Sequence, residues 1–387
     1  MPVSLGLSLQ PPFQSDPPKR TNGHRFRGDN GPVTLEGRIL SPRGFVRGRL
    51  YFAERILAVE EAPVEGPYLL PGFLDLHVHG GGGRDFMEGK EAALEAARFH
   101  LHHGTTGLLA TTVTAPPEDL RRALSGIAEA MAECEVLLGA HLEGPFLSPK
   151  RLGAQPPFPQ KPDPALMEDL LALAPVRVVT LAPELPGALE LVRLLAGRGV
   201  RVQIGHTAAG YEEALAALEA GAVGFTHLFN AMTPLHHRAP GVVGLALERG
   251  LWAELIPDGL HVHPAALRLA LKSIPGLYFV TDAVAAAGMP DGVYPLGAQR
   301  VAKRGAGVWL GEGLAGSALT MDEALRRLVG FGLSLEEAAR RLSTYPARYL
   351  GLKDRGEIAP GKRADLLVLG EDLRVEAVYL GGRRVAR

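Results

Sequence analysis

The stretch PGFLDLHVHG, residues 71–80, ends an apolar run with two histidines one residue apart. Side chains at positions i and i+2 of a β-strand point to the same face of a sheet. His77 and His79 could therefore bind one cation if the stretch is extended. They could equally be the last residues of a buried strand, so the spacing permits a metal site without establishing one.

Apolar runs like this one recur along the chain and alternate with longer amphipathic segments. The segments at residues 89–104, 186–199 and 210–221 place apolar residues at i, i+3 and i+4 and end near a glycine, which predicts helices. The alternation predicts an α/β fold, a (β/α)8 TIM-type barrel. An open doubly wound sheet is the alternative, but no candidate strand is followed by a G-x-G-x-x-G turn. The eight candidate strands are residues 72–78, 106–113, 136–142, 176–182, 200–206, 223–229, 252–257 and 277–283.

The segments on either side of the barrel have a different pattern. Residues 31–70 and 346–387 alternate apolar and polar residues between Gly and Pro turns, which is typical of antiparallel strands. Each segment needs a partner, so we expect them to form one small β-sandwich domain beside a barrel of residues 71–345. Residues 1–30 are rich in Pro, Arg and Asn, and we expect a loosely ordered extension there.

Composition excludes several classes of partner. The 387 residues carry a formal net charge of −1, which gives no general attraction to nucleic acid or to anionic membranes. No apolar run is long enough to span a membrane, and the N-terminus lacks the pattern of a signal peptide. We therefore predict a cytoplasmic protein with no nucleic-acid or membrane partner.

Titratable residues stand at the ends of six of the eight candidate strands. In a barrel, the carboxyl ends of the strands meet on one face, where active sites lie. Burying this many polar groups costs free energy unless they bind a ligand, so the pattern favours an active site over simple packing. The residues are His77 and His79, His141 and Glu143, His206, His227, His261 and Asp282.

This set of residues resembles the amidohydrolase superfamily of metal-dependent hydrolases. Six motifs in the same order are similar to its N-acetylglucosamine-6-phosphate deacetylase family, and the resemblance runs from about Gly31 to the C-terminus. It implies hydrolysis of N-acetylglucosamine 6-phosphate to glucosamine 6-phosphate and acetate, in amino-sugar catabolism. The motifs are HLEGPF (141–146), IGHTAA (204–209), THLFNAM (226–232), DGLHV (258–262), VTDAVAAAG (280–288) and LAGSALTM (314–321).

The resemblance also implies roles for individual residues. Glu143, His206 and His227 would bind a divalent metal, Zn²⁺ or Fe²⁺, with one or two ions per subunit; His77 and His79 would offer a second, weaker position that shares Glu143. Asp282 would act as the catalytic base and then as the acid, and His261 would polarise the acetamido carbonyl. The phosphorylated amino sugar would contact Ala154, Gln155, Asn230, Ala231 and Arg238, with Leu314, Ala315 and Gly316 near the acetyl group. A homodimer is expected from the family.

One position departs from the family pattern. Members commonly carry a histidine after the metal-binding glutamate, in a KGAH pattern, whereas this chain reads RLGAQPP at residues 151–157. Gln155 offers one donor and one acceptor to a sugar hydroxyl but carries no charge. The change weakens the case for the standard substrate, though not for the reaction.

Two other functions compete with deacetylation. A dihydroorotase- or hydantoinase-like hydrolase of cyclic amides would bridge two metals with a modified lysine on the fourth strand, and residues 176–184 contain no lysine. A non-catalytic relative would have lost metal ligands or the acid of the eighth strand, and none of them is missing.

Overall fold

The computed structural model describes residues 31–386, so the predicted extension of residues 1–30 lies outside the described residues. From Pro32 onward the chain forms one compact unit. It opens with four strands of a small sheet domain, β1 (Val33–Ser41), β2 (Gly44–Phe52), β3 (Ile56–Glu61) and β4 (Tyr68–Pro71).

The barrel follows, with strands and helices in alternation. In chain order its elements are β5 (Phe73–Val78), the short hairpin β6 (Gly80–Gly81) and β7 (Arg84–Asp85), a 3-10 turn (Phe86–Glu88), α1 (Lys90–His102), β8 (Thr105–Thr112), α2 (Pro117–Met131), β9 (Leu137–Glu143), α3 (Pro164–Leu173), β10 (Val176–Leu181), α4 (Ala188–Gly197), β11 (Arg201–Ile204), α5 (Tyr211–Ala220), β12 (Gly224–Phe225), α6 (Gly241–Arg249), β13 (Trp252–Leu255), α7 (Pro264–Ser273) and β14 (Gly276–Phe279).

The rest of the chain adds an insertion, three helices and three strands. The insertion is an antiparallel sheet that sequence patterning did not predict. Its strands are β15 (Gly292–Leu296), β16 (Gln299–Arg304), β17 (Gly307–Leu310) and β18 (Gly313–Ser317). The helices and strands that follow the insertion are α8 (Met321–Gly330), α9 (Leu335–Leu342), α10 (Thr344–Leu350), β19 (Leu366–Leu369), β20 (Val375–Leu380) and β21 (Arg383–Ala386).

The eight predicted strands form the barrel. Six pair in the order β12-β11-β10-β9-β8-β5, and β13 pairs with β14, all of them parallel. Backbone hydrogen bonds close the ring: Leu228 N–H donates to Glu254 O (2.8 Å) beside β12, and Asp282 N–H donates to His77 O (2.9 Å) beside β5. The predicted (β/α)8 TIM-type barrel is confirmed.

The two terminal segments combine in one sheet domain, as predicted. The strand order is β21-β20-β19-β4-β1-β2-β3, with β4 parallel to β1 and antiparallel to β19. The last helix belongs to the barrel, because Tyr349 and Leu350 pack with Leu76 and Tyr278 in one buried cluster. We therefore propose that the barrel extends to Leu350 rather than to residue 345.

Burial explains why these segments form strands. Every residue of β5 and of β8 is buried, as expected for parallel strands that are covered on both faces. The predicted sixth strand is short because the chain turns away after Phe225, with positive φ angles at His227, Phe229 and Ala231. Within residues 31–386, no helix combines the length and the apolar character needed to cross a bilayer.

The contact between α1 and α2 gives a stability prediction. A Cβ atom at Gly126, in the middle of α2, would lie 2.6 Å from Gly89 Cα and 2.7 Å from Lys90 N. Alanine normally stabilises a helix by about 1 kcal/mol relative to glycine, but overpacking against backbone costs about 1–3 kcal/mol. We expect Gly126→Ala to lower the melting temperature. In the matched variant Gly330→Ala, the new Cβ would meet nothing within 4 Å, so the melting temperature should be unchanged or higher. A Gly126→Ala protein as stable as Gly330→Ala would contradict the packing argument.

Candidate metal centre and active-site cavity

Three of the predicted metal ligands converge at the carboxyl end of the barrel. Glu143 is the last residue of β9, and His206 and His227 each follow a strand by two residues. Glu143 Oε1 lies 2.9 Å from Nε2 of His206 and 2.9 Å from Nε2 of His227, and the two Nε2 atoms are 3.1 Å apart. All three side chains are buried.

A second group lies on the other side of Glu143. The Nε2 atoms of His77 and His79 are 3.2 Å apart, and Asp282 Oδ1 lies 3.3 Å from the first and 3.2 Å from the second. Glu143 Oε2 lies 3.0 Å from His79 Nε2 and 3.4 Å from His77 Nε2. Each oxygen of the Glu143 carboxylate thus faces one pair of histidines.

The hydrogen bonds of the imidazole rings suit cation binding. His206 Nδ1–H donates to Arg151 O (2.9 Å), and His79 Nδ1–H donates to Thr111 O (3.2 Å). With Nδ1 protonated, the lone pair of each ring lies on Nε2. His206 Nε2 faces His227 Nε2 at 3.1 Å and His79 Nε2 faces His77 Nε2 at 3.2 Å, and a cation or a proton between the two nitrogens would make each approach favourable. The donor set of imidazole nitrogens and carboxylate oxygens fits a divalent transition metal.

The charged groups control one another's ionisation. Burial disfavours charge on His79, but hydrogen bonds to Asp282 and Glu143 outweigh it and raise its pKa to about 9. Burial alone would raise the pKa of Asp282, but charged His77 and the hydrogen bond from His79 lower it to about 2. The same balance of burial against His77 and His206 holds the pKa of Glu143 well below its usual value. The surrounding protein groups therefore keep the carboxylates of Asp282 and Glu143 ionised at neutral pH.

A cavity of about 280 Å³ opens onto these groups. His79, Glu143, His206, His227 and Asp282 line its floor, and His77 lies beneath it, fully buried. Most of the residues predicted to contact the sugar also line it: Ala154, Gln155, Asn230, Ala231, His261, Leu314 and Gly316.

His261 is held by a carboxylate that sequence reasoning did not single out. His261 Nδ1–H donates to Asp258 Oδ2 (2.7 Å), and Asp258 Oδ1 accepts the backbone N–H groups of Leu260 (2.8 Å) and His261 (2.9 Å). Burial opposes charge on His261, but the Asp258 carboxylate raises its pKa. The i, i+3 spacing within DGLHV was the available signal for this pair.

Gln155 lies in the cavity wall, but its amide is already engaged. Its Nε2–H donates to Glu143 Oε2 (2.6 Å), and its Oε1 accepts the backbone N–H of Thr114 (2.7 Å). The predicted donor and acceptor for a sugar hydroxyl are thus directed at the protein.

Three other candidates lie away from the cavity. Arg238 is in an exposed loop, where its Nη1–H donates to His237 Nε2 (2.8 Å). Ala315 is buried behind the wall between Leu314 and Gly316. His141 lies below the site, bonded to Leu76 O (3.0 Å) and Thr180 Oγ1 (2.8 Å), and burial lowers its pKa to about 4, so it is neutral.

Glu254 is a further buried carboxylate that the sequence analysis missed. It lies on β13, and its Oε1 accepts the Nδ1–H of His77 (2.5 Å). Burial alone would raise the pKa of Glu254, but charged and hydrogen-bonded His77 lowers it. A charged residue inside the apolar run WAELIP was the signal that could have revealed it.

Comparisons with known proteins agree with this geometry. The amidohydrolase family profile matches residues 68–385. N-acetylgalactosamine-6-phosphate deacetylase from Escherichia coli O157:H7 is 39% identical over 368 residues, which cover 89% of this chain and 97% of that protein. N-acetylglucosamine-6-phosphate deacetylase from Homo sapiens is 40% identical over 372 residues, or 90% of each chain.

A solved structure is also similar over nearly the whole chain. It is a variant of N-acetyl-D-glucosamine-6-phosphate deacetylase from Mycobacterium smegmatis in complex with N-acetyl-D-glucosamine-6-phosphate. The two folds superimpose with a TM-score of 0.88 at 38% identity, covering 92% of this chain and 100% of that chain. The chain therefore belongs to the amidohydrolase family, in its N-acetylglucosamine-6-phosphate deacetylase branch.

Proposed function

We propose that the protein hydrolyses N-acetylglucosamine 6-phosphate to glucosamine 6-phosphate and acetate. The observation that supports this most directly is the convergence of Glu143, His206 and His227 with Asp282 on the floor of one cavity, in a chain of this family. The C4 epimer is a second candidate substrate, because one of the similar proteins is an N-acetylgalactosamine-6-phosphate deacetylase.

The metal requirement is part of the proposal. Glu143, His206 and His227 would hold one divalent cation, Zn²⁺ or Fe²⁺, and His77 and His79 would form a second position that shares Glu143. When bound, a divalent cation makes water more acidic and polarises a carbonyl oxygen. The side chains of the protein would transfer the proton and bind the substrate.

Asp282 would move the proton. Because it is ionised at neutral pH, Asp282 Oδ1 can accept a proton from the attacking water while the C–O bond forms. The same proton then passes to the sugar nitrogen as the C–N bond breaks, which releases the free amine and acetic acid, and the acid loses its remaining proton to give acetate.

His261 would bind the acetamido group. Its Nδ1–H is held by Asp258, so Nε2 is left for the cavity that His261 lines. The raised pKa of His261 favours a proton on Nε2, and this N–H could donate to the acetamido carbonyl as negative charge develops on its oxygen.

The sugar would lie against the loops around the cavity. Ala154, Asn230 and Ala231 form one part of the wall, and Leu314 and Gly316 form another near the proposed acetyl position. Ala315 would act indirectly, because it packs behind these two residues with Val113 and Leu296. We assign Gln155 to Glu143 rather than to the sugar, since both of its amide atoms are bonded to the protein.

Arg238 remains our candidate for the phosphate. Among the described residues that line the cavity none is a lysine or an arginine, and a phosphate is best bound by a guanidinium group. The loop that carries Arg238 follows Asn230 and Ala231 of the cavity wall directly, so it extends from the site toward solvent. The homodimer stays a prediction of the family resemblance, and the cytoplasmic location stays a prediction of the sequence composition.

The competing functions have less support. Strand β10 has the sequence VRVVTL, without the lysine that a cyclic amide hydrolase would modify. A non-catalytic relative would lack part of the set, whereas both histidine pairs, Glu143 and Asp282 are present together.

Substrate identity can be tested by acetate release from the purified, metal-loaded protein. We expect turnover of N-acetylglucosamine 6-phosphate and lower turnover of N-acetylgalactosamine 6-phosphate. For N-acetylglucosamine, which lacks the phosphate, we expect a much higher KM. Arg238→Ala should raise KM for N-acetylglucosamine 6-phosphate and leave KM for the unphosphorylated sugar unchanged. Equal kcat/KM with and without the 6-phosphate would contradict the role of Arg238, and no acetate from any of the three sugars would contradict the proposed function.

Replacement of Asp282 tests the proton transfer. Asp282→Asn cannot accept the proton, so we expect kcat to fall by roughly 10²–10⁴-fold while elemental analysis still finds bound metal. The matched variant Asp291→Asn, an exposed carboxylate of the insertion, should behave as wild type. Full activity in Asp282→Asn would remove this residue from the mechanism.

Replacement of Gln155 separates its two possible roles. Gln155→Ala removes the hydrogen bond to Glu143, so we expect metal affinity to fall about tenfold while KM for the sugar at saturating metal changes little. Gln299→Ala is the matched control, because Gln299 donates to the carbonyl oxygens of Ala154 and Gln155 and does not contact Glu143. Unchanged metal affinity with a raised KM would show that Gln155 binds the sugar after all.

A further inference from the structure

The carboxylate of Glu254 contacts both groups of proposed metal ligands from below. Its Oε1 accepts a hydrogen bond from His77 Nδ1–H (2.5 Å) and another from the backbone N–H of His227 (3.2 Å). Its Oε2 accepts the hydroxyl of Tyr278 (3.4 Å). One oxygen atom thus joins a ligand of the first position to a ligand of the second.

Glu254 has no other charged partner. It is fully buried, and within residues 31–386 its only ion-pair partner is His77. A carboxylate in such surroundings is strongly unfavourable unless donors or cations compensate it. An apolar residue of similar size would pack in the barrel at lower cost, which points to a function for the charge at this position.

The bond to Glu254 determines which nitrogen of His77 is available. Because Nδ1 donates to the carboxylate, the lone pair of His77 lies on Nε2. That atom faces His79 Nε2 at 3.2 Å and Asp282 Oδ1 at 3.3 Å. Without Glu254, nothing in the described contacts of His77 Nδ1 would hold the ring in this orientation.

A buried network fixes Glu254 in turn. Gln203 Nε2–H donates to the hydroxyl groups of Tyr278 (2.9 Å) and Tyr349 (3.2 Å), and Gln203 Oε1 accepts the hydroxyl of Thr226 (2.9 Å). Because Tyr278 accepts from Gln203, its own proton is directed at Glu254. A network with its donors and acceptors paired in this way holds its members rigidly.

We propose that Glu254 is the positioning residue of the second cation position: it orients His77 so that the Nε2 atoms of His77 and His79, with Glu143, form a site for a second divalent ion. This deepens the proposed function and rests on its metal requirement. A carboxylate behind a metal-binding histidine raises the basicity of the ring and fixes its direction, and loss of such a partner typically weakens metal binding 10–100-fold.

The test measures binding of Zn²⁺ alone to the metal-free protein by equilibrium dialysis and elemental analysis. Wild type should bind two ions per chain. Glu254→Leu, which has similar volume but no acceptor, should bind the second ion 10–100-fold more weakly and the first ion with a smaller change. Glu254→Gln keeps an acceptor and loses only the charge, so the loss should be smaller. Tyr278→Phe removes one bond to Glu254 but leaves the bond between Glu254 and His77, so the second ion should bind slightly more weakly than in wild type and clearly more tightly than in Glu254→Leu.

A second measurement reports on the position itself. With Mn²⁺ in both positions, the spectrum of wild type by electron paramagnetic resonance should show two coupled ions, and Glu254→Leu should show an isolated ion at the same concentration. Unchanged affinity for the second ion in Glu254→Leu overturns the proposal; if that variant does not fold, unchanged affinity in Glu254→Gln does so. A wild-type protein that binds one ion only also overturns it, while acetate release by the same protein would leave the proposed function intact.

Discussion

The structure depends on the compensation of buried negative charge at one end of the barrel. Asp75, Glu143, Glu254 and Asp282 are all buried there, and within residues 31–386 none of them forms an ion pair with a lysine or arginine. Carboxylates so placed need positive partners. Imidazole rings are the partners that the fold supplies, and where these are too few the carboxylate resists ionisation: burial raises the pKa of Asp75 to about 7. Buried imidazole nitrogens and carboxylate oxygens grouped in this way could hold a divalent cation.

Residues with strained, positive φ angles are concentrated around the site. Of the six non-glycine residues with positive φ in the described chain, five lie in segments that follow the carboxyl ends of barrel strands: His206, His227, Phe229, Ala231 and Asp282. Each such conformation costs about 1–3 kcal/mol and persists only where its surroundings enforce it. At Asp282 the enforcing bonds are N–H to His77 O (2.9 Å) and O to Ser317 N–H (2.8 Å). The neighbouring Gly316 allows this approach, because a Cβ there would lie 2.9 Å from Asp282 O.

Sequence patterning predicted the barrel strands and the titratable residues of the cavity, because strand ends are visible as apolar runs that stop at a polar residue. The other cavity residues that were predicted came from the family resemblance. Patterning missed Glu254 and Asp258, which act through other side chains and lie inside or just behind such runs. It also missed the insertion β15–β18, whose short strands show no sustained alternation, although Leu296, Leu314 and Gly316 of this insertion line the cavity. Arg238 was predicted from the family resemblance and from its position on the loop after the sixth strand, and the structure puts it in an exposed part of that loop outside the cavity wall.

The departure at Gln155 follows from the chemistry of the group it contacts. A neutral imidazole offers one donor and one acceptor, and so does an amide along the two directions used here: Nε2–H toward Glu143 and Oε1 toward Thr114 N–H. Glutamine can therefore reproduce the bonds of a neutral histidine while losing the ability to become charged. Beside a carboxylate shared by two pairs of histidines, a residue that stays neutral adds no positive charge to compete with a cation for Glu143 Oε2.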